Sequence, residues 1–117
     1  MSTAIALDLK TGFPRSGREL LGGYAWLARL IDKARAERAG TQGDYVAYCP
    51  LSLGFLERAG YSRDAFHSLI ERDAADEDFV TVFDQNVTPE HKASANRFVL
   101  ETMVEHLDEQ DVEEGRA

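Results

Sequence analysis

One stretch of the sequence, residues 22–39, constrains the fold more than any other because its residues repeat with the period of an α-helix. On a helical projection, its apolar residues fall within a stripe about 100° wide. The opposite side carries small residues, so a second element can approach the backbone there. A helix with two packing sides is expected inside a fold. The apolar stripe contains Gly23, Leu27, Leu30, Ile31 and Ala34, with Trp26 at its margin, and the small side contains Ala25, Ala28, Asp32 and Ala36.

The charged residues of this helix lie on the two seams between its packing sides. Long side chains at such positions are expected to keep their charged ends in water. Asp32 is an exception, because it lies in the middle of the alanine side. Arg29 and Arg35 lie three residues before and after it, which predicts ion pairs within the helix. The seam residues are Arg29, Lys33 and Glu37 on one side and Arg35 and Arg38 on the other.

Capping residues mark the other helices. Pro50 suits the first position of a short helix, Leu51 to Ala59, and this places Cys49 at or beside the cap. Ser62 is a good cap for a helix that runs to about residue 72. The acidic residues 76–78 favour the start of another helix. The last predicted helix begins at Thr88 and Pro89 and runs to Leu107.

The segments between and beyond these helices are less regular. Within residues 1–13, Ile5, Leu7 and Leu9 alternate with Ala6 and Asp8, which predicts an extended arm laid on the helices. Ser16 and Glu19 have the spacing of a capping box and predict a first helical turn. The glycines at 22 and 23 either break that turn from the long helix or lie inside one helix. Residues 45–49 form a strand-like connector, a buried loop or a turn.

These patterns together predict an all-α fold. Its architecture is a single-domain, irregular bundle of about five helices with an extended N-terminal arm. We place one helical domain at residues 1–107 and an acidic flexible tail at residues 108–117. A chain of 117 residues corresponds to about one domain.

Composition excludes several classes of protein. The single cysteine rules out an internal disulfide, and no apolar run suggests a signal peptide or a membrane span, so we expect a cytoplasmic protein. Residues 1–38 carry seven basic and four acidic side chains, whereas residues 39–117 carry six basic and seventeen acidic ones. Nucleic acid is therefore an unsuitable partner for the chain, although the basic region could attract a small anion.

Chemically reactive residues are few. Cys49 is a candidate nucleophile because a helix N-terminus stabilises a thiolate, although a small buried side chain is the alternative interpretation. Asp32 is a second candidate, as a carboxylate that orients a ligand or a proton, or as a structural ion-pair partner. The histidines, His67, His91 and His106, lack metal-binding spacing, so we expect no metal site. No motif predicts a cofactor.

Aromatic and cationic residues around the long helix suit a planar anionic ligand, because rings stack and guanidinium groups pair with negative charge. The same residues suit a protein interface, or a buried tryptophan with charged neighbours. The candidate ligand-binding residues are Arg15, Arg18, Tyr24, Trp26, Arg29, Asp32, Lys33, Arg35 and Tyr45.

Several segments also resemble a family of small bacterial proteins known as domain of unknown function 5069. The resemblance is specific over residues 8–60 and looser beyond them, and residue 17 is glycine where the family usually has proline. It implies one compact bacterial domain and no particular activity. The matching segments are Pro14-Arg15-Ser16, Leu21-Gly22-Gly23-Tyr24, residues 27–36, Ala39-Gly40-Thr41 and residues 45–51.

The sequence therefore predicts a module that binds a small anionic or aromatic ligand, or a protein partner, at the basic face of helix 22–39. One alternative is an enzyme that uses Cys49 or Asp32. The other is a structural subunit whose alanine side forms a homodimer interface.

Overall fold

The fold, seen in a computed structural model that describes residues 5–116, is an all-α bundle, as the sequence predicts. Residues 1–4 of the predicted arm and Ala117 of the predicted tail lie outside the described residues. Six α-helices and a short π-helical segment, Phe98–Thr102, follow one another along the chain. The helices are α1 (Leu27–Ala39), α2 (Pro50–Ala59), α3 (Arg63–Glu71), α4 (Asp76–Asn86), α5 (Pro89–Arg97) and α6 (Val104–Glu113).

The predicted helix starts between residues 49 and 89 are confirmed. Cys49 has extended backbone geometry immediately before Pro50, which is the first residue of α2. The Ser62 hydroxyl accepts a hydrogen bond from the backbone N–H of Ala65 at 3.0 Å. The Thr88 hydroxyl accepts one from the N–H of His91 at 3.1 Å. These bonds satisfy N–H groups that have no partner within the first turn of a helix.

The predicted start of the long helix at residue 22 is wrong, because α1 begins at Leu27. Leu21 and Tyr24 exchange two backbone hydrogen bonds of 3.1 and 3.0 Å and close a tight turn. Gly22 and Gly23 occupy its centre with φ values of 60° and 84°. Such positive values are required at both centres of a type I′ turn and are incompatible with a right-handed helix. The glycines therefore separate the preceding turn from α1.

The predicted turn at Ser16 is present, but it does not continue into a helix. The Ser16 carbonyl accepts one backbone bond, from Glu19 at 3.1 Å, and no helix follows. Residues 45–49 form a turn rather than a strand, which selects one of the three alternatives left open by the sequence.

The last predicted helix differs in two ways. It is interrupted after Arg97 by the π-helical segment, whose end is closed by a 2.9 Å bond from the Met103 N–H to the Phe98 carbonyl. The chain then continues as α6 through Glu113, where the sequence predicted an acidic flexible tail at residues 108–117. Glu114, at the end of α6, is buried. Several of these acidic residues meet basic side chains from the N-terminal third of the chain.

The core surrounds α1 and the turn before it, so the prediction of a central helix is confirmed. Nine of the 13 residues of α1 are buried. Both predicted packing sides are covered, and the alanines at 25, 28 and 36 have no exposed surface. These alanines therefore cannot form the predicted homodimer interface. The largest buried side chains around them are Tyr24, Trp26, Phe55, Phe66, Phe79 and Phe83.

The expected exposure of the charged seams is wrong for two of their five residues. Arg29 and Lys33 are only 2% and 4% exposed. The segments that cover them are the loop before α2 and the end of α6, which sequence periodicity within α1 cannot reveal. Arg38, in the last turn, is exposed as expected.

The N-terminal arm lies against the end of α1. The N–H of Leu9 donates to the carbonyl of Thr41 at 2.8 Å, and the Thr41 hydroxyl donates to the carbonyl of Leu7 at 2.7 Å. Leu9 is buried, whereas Ile5 and Leu7 remain exposed. The arm is therefore anchored mainly through its backbone and one apolar side chain.

Candidate functional site

Asp32, one of the candidate residues, is held by Arg15 and not by the arginines of its own helix. It accepts hydrogen bonds from the Arg15 backbone N–H at 2.8 Å and from two guanidinium nitrogens at 3.0 Å each. The prediction of ion pairs with Arg29 and Arg35 is therefore wrong. Because Asp32 is buried and accepts several bonds from Arg15, its carboxylate fixes the segment before the turn.

Arg15 and Arg35 converge on a second carboxylate, that of Asp76 at the start of α4. Arg15 contacts it at 2.8 Å and Arg35 at 3.1 Å. Burial disfavours the charge of Asp76, but these arginines outweigh it and lower the pKa of the carboxyl group. Burial likewise opposes protonation of Arg15, yet its two carboxylate partners raise the pKa of the guanidinium. Both arginines are therefore already engaged in ion pairs that connect α1 with α4.

Three other candidates also have structural partners. Arg18 pairs with Asp108 and Asp111 of α6, the latter at 3.0 Å. Tyr24 is fully buried, and its hydroxyl donates to Asp84 at 2.9 Å. Trp26 has no exposed surface, so its ring is not available as a stacking platform for a ligand.

Arg29 forms a buried ion pair with Glu114. Two guanidinium nitrogens donate to the two carboxylate oxygens at 2.9 and 2.6 Å. The Tyr45 hydroxyl donates to the same carboxylate at 2.8 Å, and Arg116 contacts it as well. Burial opposes the charge of Glu114, but the bonds from Arg29 and Tyr45 lower its pKa. Burial and the bond to Glu114 raise the pKa of Tyr45 to about 12.

Lys33 and Cys49 form a second, partly buried pair beside it. The Lys33 ammonium lies 3.5 Å from the Cys49 Sγ, and no other hydrogen-bond acceptor contacts it within residues 5–116. The ammonium also lies 5.1 Å from the centre of the Trp26 ring. Sγ is 3.4 Å from the Ser52 hydroxyl, which accepts the Trp26 indole N–H at 3.0 Å. A continuous polar chain therefore runs from the core to the thiol.

The electrostatics of this pair favour a thiolate. Burial opposes ionisation of Cys49, but the charge of Lys33 and hydrogen bonds from Ser52 outweigh it and lower the pKa of the thiol. Burial also lowers the pKa of Lys33, with a further contribution from Arg29. A thiolate is the nucleophilic form of cysteine, and its position before α2 adds unpaired backbone N–H groups near the charge.

Two adjoining clefts meet at Cys49. The larger, of about 440 Å³, is lined by polar groups that include Arg29, Lys33 and Tyr45. The smaller, of about 310 Å³, has apolar walls from Pro50, Leu51 and Met103. Gln110 and Glu113 line both clefts, as Cys49 does. The side-chain oxygen of Gln110 is buried and has no partner within the described part of the chain. Asp44 and Glu114 also line the larger cleft, and His106 and Glu109 the smaller.

The structure thus brings together four of the residues singled out in the sequence: Arg29, Lys33, Tyr45 and Cys49. The other candidates lie outside this group: Arg15, Arg18, Asp32 and Arg35 belong to other ion pairs, and Tyr24 lies in the core. Sequence reasoning missed Ser52, Gln110 and Glu114. Ser52 follows Cys49 by three residues, a spacing that brings it near the helix cap. Gln110 and Glu114 lie in an acidic run without a distinguishing signal.

Residues 5–116 lack two features that would point to particular functions. No group of three or more histidine, cysteine, aspartate or glutamate residues is arranged to hold a metal ion. No helix is both long and apolar enough to cross a membrane.

Comparison with known proteins identifies one family. A family model with the description "Domain of unknown function (DUF5069)" matches residues 11–116 and so covers nearly the whole chain. A search of curated proteins finds no match.

Proposed function

The chain belongs to the family described as Domain of unknown function (DUF5069), and we propose that in this domain Cys49 is a reactive thiolate that attacks a small electrophilic ligand bound in the cleft. This is the enzyme alternative that the sequence offered for Cys49. In this proposal Lys33 stabilises the thiolate, Ser52 orients it, and the cleft walls at Tyr45 and Gln110 hold the ligand.

The environment of Lys33 is the observation that carries the proposal. Lys33 is 4% exposed, and Sγ of Cys49 is the only hydrogen-bond acceptor of its ammonium within the described residues. An isolated buried charge is costly, and this cost falls when an opposite charge lies next to it. A neutral thiol would leave the ammonium without an anionic partner. The lysine therefore favours the ionised, nucleophilic form of Cys49.

Noncovalent binding in the same clefts is the second candidate function. Cavities of about 300–1,000 Å³ are typical of small-molecule sites, and both clefts fall within or near this range. The charges of the larger cleft do not favour the anionic ligand that the sequence predicts, because Arg29 is paired with Glu114 and the lining includes Asp44 and Glu113. A neutral or cationic ligand fits these charges better.

The proposed reactive thiolate also favours one cellular compartment for the protein. A thiol that must stay reduced fits a cytoplasmic location, where disulfides are rare. We therefore retain the cytoplasm as part of this proposal.

Alkylation of Cys49 tests the proposal directly. The rate of carbamidomethylation by iodoacetamide is measured from pH 5 to 9 by mass spectrometry, with N-acetylcysteine as the reference thiol. We expect the midpoint of the Cys49 profile to lie at a lower pH than that of the reference. Replacing Lys33 by methionine, which is similar in length and uncharged, should slow labelling at pH 6 on the order of tenfold.

Lys92 provides the matched control. Its ammonium donates to the Gly22 carbonyl at 2.8 Å, outside the cleft, so Lys92→Met should leave the labelling profile unchanged. Cys49→Ser should remove all labelling, because the chain has one cysteine. A Cys49 profile that coincides with the reference thiol, or that does not respond to Lys33→Met, would contradict the proposal.

A further inference from the structure

The hydrogen-bonding capacity of Lys33 is only partly used. A lysine ammonium has three N–H donors. One is directed at Sγ of Cys49, 3.5 Å away, and the aromatic face of Trp26 lies 5.1 Å away as a weaker partner. No oxygen acceptor is within hydrogen-bond distance of this ammonium in the described chain, although Lys33 is buried and lines the larger cleft. The remaining N–H donors of this ammonium can therefore bind an acceptor on a ligand that enters the cleft beside the nucleophile.

The surroundings define where that acceptor would lie. Any atom attacked by Sγ is within bonding distance of it, so an oxygen on that atom lies about 3 Å from the sulfur. When the carbonyl oxygen lies on the side of Sγ that faces Lys33, it is within reach of the ammonium, which is itself 3.5 Å from Sγ. Donors preorganised at such a position stabilise negative charge as it develops on oxygen, and they are most effective away from water.

We propose that Lys33 is the oxyanion donor of an acyl-transfer site, and that the electrophile which Cys49 attacks is the carbonyl carbon of an activated ester or thioester. This inference rests on the proposed reactivity of Cys49 and adds the class of substrate. The negative charge of the thiolate passes to the carbonyl oxygen, and Lys33 remains beside it throughout.

The reaction balances without an oxidant or reductant. The Cys49 thiolate forms a carbon–sulfur bond to the carbonyl carbon, and the carbonyl π electrons move to oxygen. When the carbonyl re-forms, the bond to the leaving alkoxide or thiolate breaks, and that group departs with the electron pair. The product is a thioester on Cys49, whose carbonyl oxygen supplies an oxygen acceptor for the Lys33 ammonium.

Other charged groups also face Lys33. Arg29 lies beside it and lowers its pKa, whereas Cys49 and Glu114 raise it and burial lowers it most. Asp44 and Glu113 line the same cleft. The pKa of Lys33 is lowered overall, so its ammonium should lose its proton at a lower pH than an ordinary lysine. Acylation then needs Cys49 deprotonated and Lys33 protonated, whereas alkylation needs only the thiolate.

The test compares two reagents on the same protein. p-Nitrophenyl acetate reports acylation through the burst of p-nitrophenolate and the mass of acetylated Cys49, and iodoacetamide reports alkylation. We expect the alkylation rate to rise with pH to a plateau, while the acylation rate rises and then falls as Lys33 deprotonates. This comparison uses the unsubstituted protein and does not depend on the folding of a variant.

Substitution of Lys33 provides the second comparison. Each protein is measured on the plateau of its own alkylation profile, where the thiolate is fully formed. There, Lys33→Met should retain the alkylation rate within about threefold but lose acylation by about 10²–10³-fold, the usual effect of removing one oxyanion donor. Lys92→Met should retain both rates.

The outcomes separate the two proposals. The first outcome is that Cys49 is alkylated at low pH, but acylation and alkylation have the same pH profile or fall equally in Lys33→Met. This outcome refutes the oxyanion role of Lys33 and leaves the reactive thiolate standing. If alkylation itself resembles that of an ordinary thiol, the reactive thiolate is refuted. A p-nitrophenolate burst that survives in Cys49→Ser would refute the acyl-transfer assignment.

Discussion

Trp26 has a left-handed backbone conformation, with φ of 72°, and a fully buried ring. This conformation is strained for a bulky residue and persists only where the surroundings enforce it. The backbone N–H of Trp26 donates to the Gly17 carbonyl at 2.9 Å, and its indole N–H donates to Ser52 at 3.0 Å. A Cβ on residue 17 would lie 2.5 Å from the indole ring. Trp26 therefore links the N-terminal segment, at Gly17, to α2, at Ser52, and the Ser52 hydroxyl in turn contacts Cys49.

Ser52→Ala tests this connection at the scale of one hydroxyl. It leaves the buried indole N–H without an acceptor, so we expect a loss of about 1–3 kcal/mol in the free energy of unfolding. Urea unfolding followed by the fluorescence of Trp26, the single tryptophan, measures it. Because Ser52 also lowers the pKa of Cys49, the alkylation midpoint should move to higher pH.

Ser94 supplies the comparison for this substitution. Its hydroxyl makes no hydrogen bond within residues 5–116, so Ser94→Ala should change the free energy of unfolding by less than about 0.5 kcal/mol. Equal effects of the two substitutions would show that the indole bond contributes no measurable stability.

At the scale of elements, the turn between Leu21 and Tyr24 sets the direction from which the chain enters α1. Gly22 has φ of 60°, and a Cβ there would lie 2.5 Å from the Val80 side chain of α4. Gly40, which ends α1, also has positive φ, 77°, but a Cβ there would meet nothing within 4 Å. The two glycines therefore share a conformational requirement and differ in packing.

This difference in packing predicts that alanine at residues 22 and 40 will lower the free energy of unfolding by different amounts. Gly40→Ala should destabilise the protein by about 1 kcal/mol, the cost of a left-handed conformation for a residue with a Cβ. Gly22→Ala should cost about 1–3 kcal/mol more, because Val80 must move to accommodate the methyl group. The free energies of unfolding in urea, measured by circular dichroism, provide the comparison. If both substitutions had equal cost, α4 would not pack against this turn as tightly as the structure shows.

At the scale of the whole molecule, ion pairs join the basic N-terminal third to the acidic remainder. Arg29 binds Glu114, Arg18 binds Asp111, and Arg15 binds Asp76. The first of these is buried on both sides, with 3% of each side chain exposed. Such a pair adds little net stability over an apolar contact, but loss of one partner leaves a buried charge alone. The end of α6 is thus held over the cleft at Cys49.

Glu114→Gln should therefore destabilise the protein by about 3–5 kcal/mol, because Arg29 loses its compensating charge. Glu113→Gln, one residue earlier and exposed, should change stability by less than about 0.5 kcal/mol. Urea unfolding at pH 7 measures both. A small effect of Glu114→Gln would show that the end of α6 is not fixed by this pair.

Lowering the pH should also reduce the stability of the unsubstituted protein. The lowered pKa values of Asp76 and Glu114 mean that their contributions are complete above the pKa values of the unfolded chain. Stability should therefore be constant near neutral pH and fall below about pH 4, as the pH passes through the lowered values. Glu114→Gln should show a shallower fall on acidification, because one of the two linked carboxyl groups is absent. An unchanged slope would contradict the role of Glu114.

The sequence by itself determined the features that depend on neighbours within about four residues. The caps at Ser62 and Thr88, the first position of α2 at Pro50 and the two packing sides of α1 follow from local hydrogen bonds and helical period. The same local logic identified Cys49 as a helix cap. Local signals suffice here because the partner groups are fixed by the helix itself.

The tertiary structure alone decided which charges meet and which are buried. Asp32 has two arginines three residues away, yet it pairs with Arg15, 17 residues distant, because the turn at Gly22 folds that segment back over α1. Lys33 was expected in water and instead lies under the loop that carries Cys49. Burial and ion pairing between distant segments depend on how the whole chain returns on itself, so the period of one helix does not specify them.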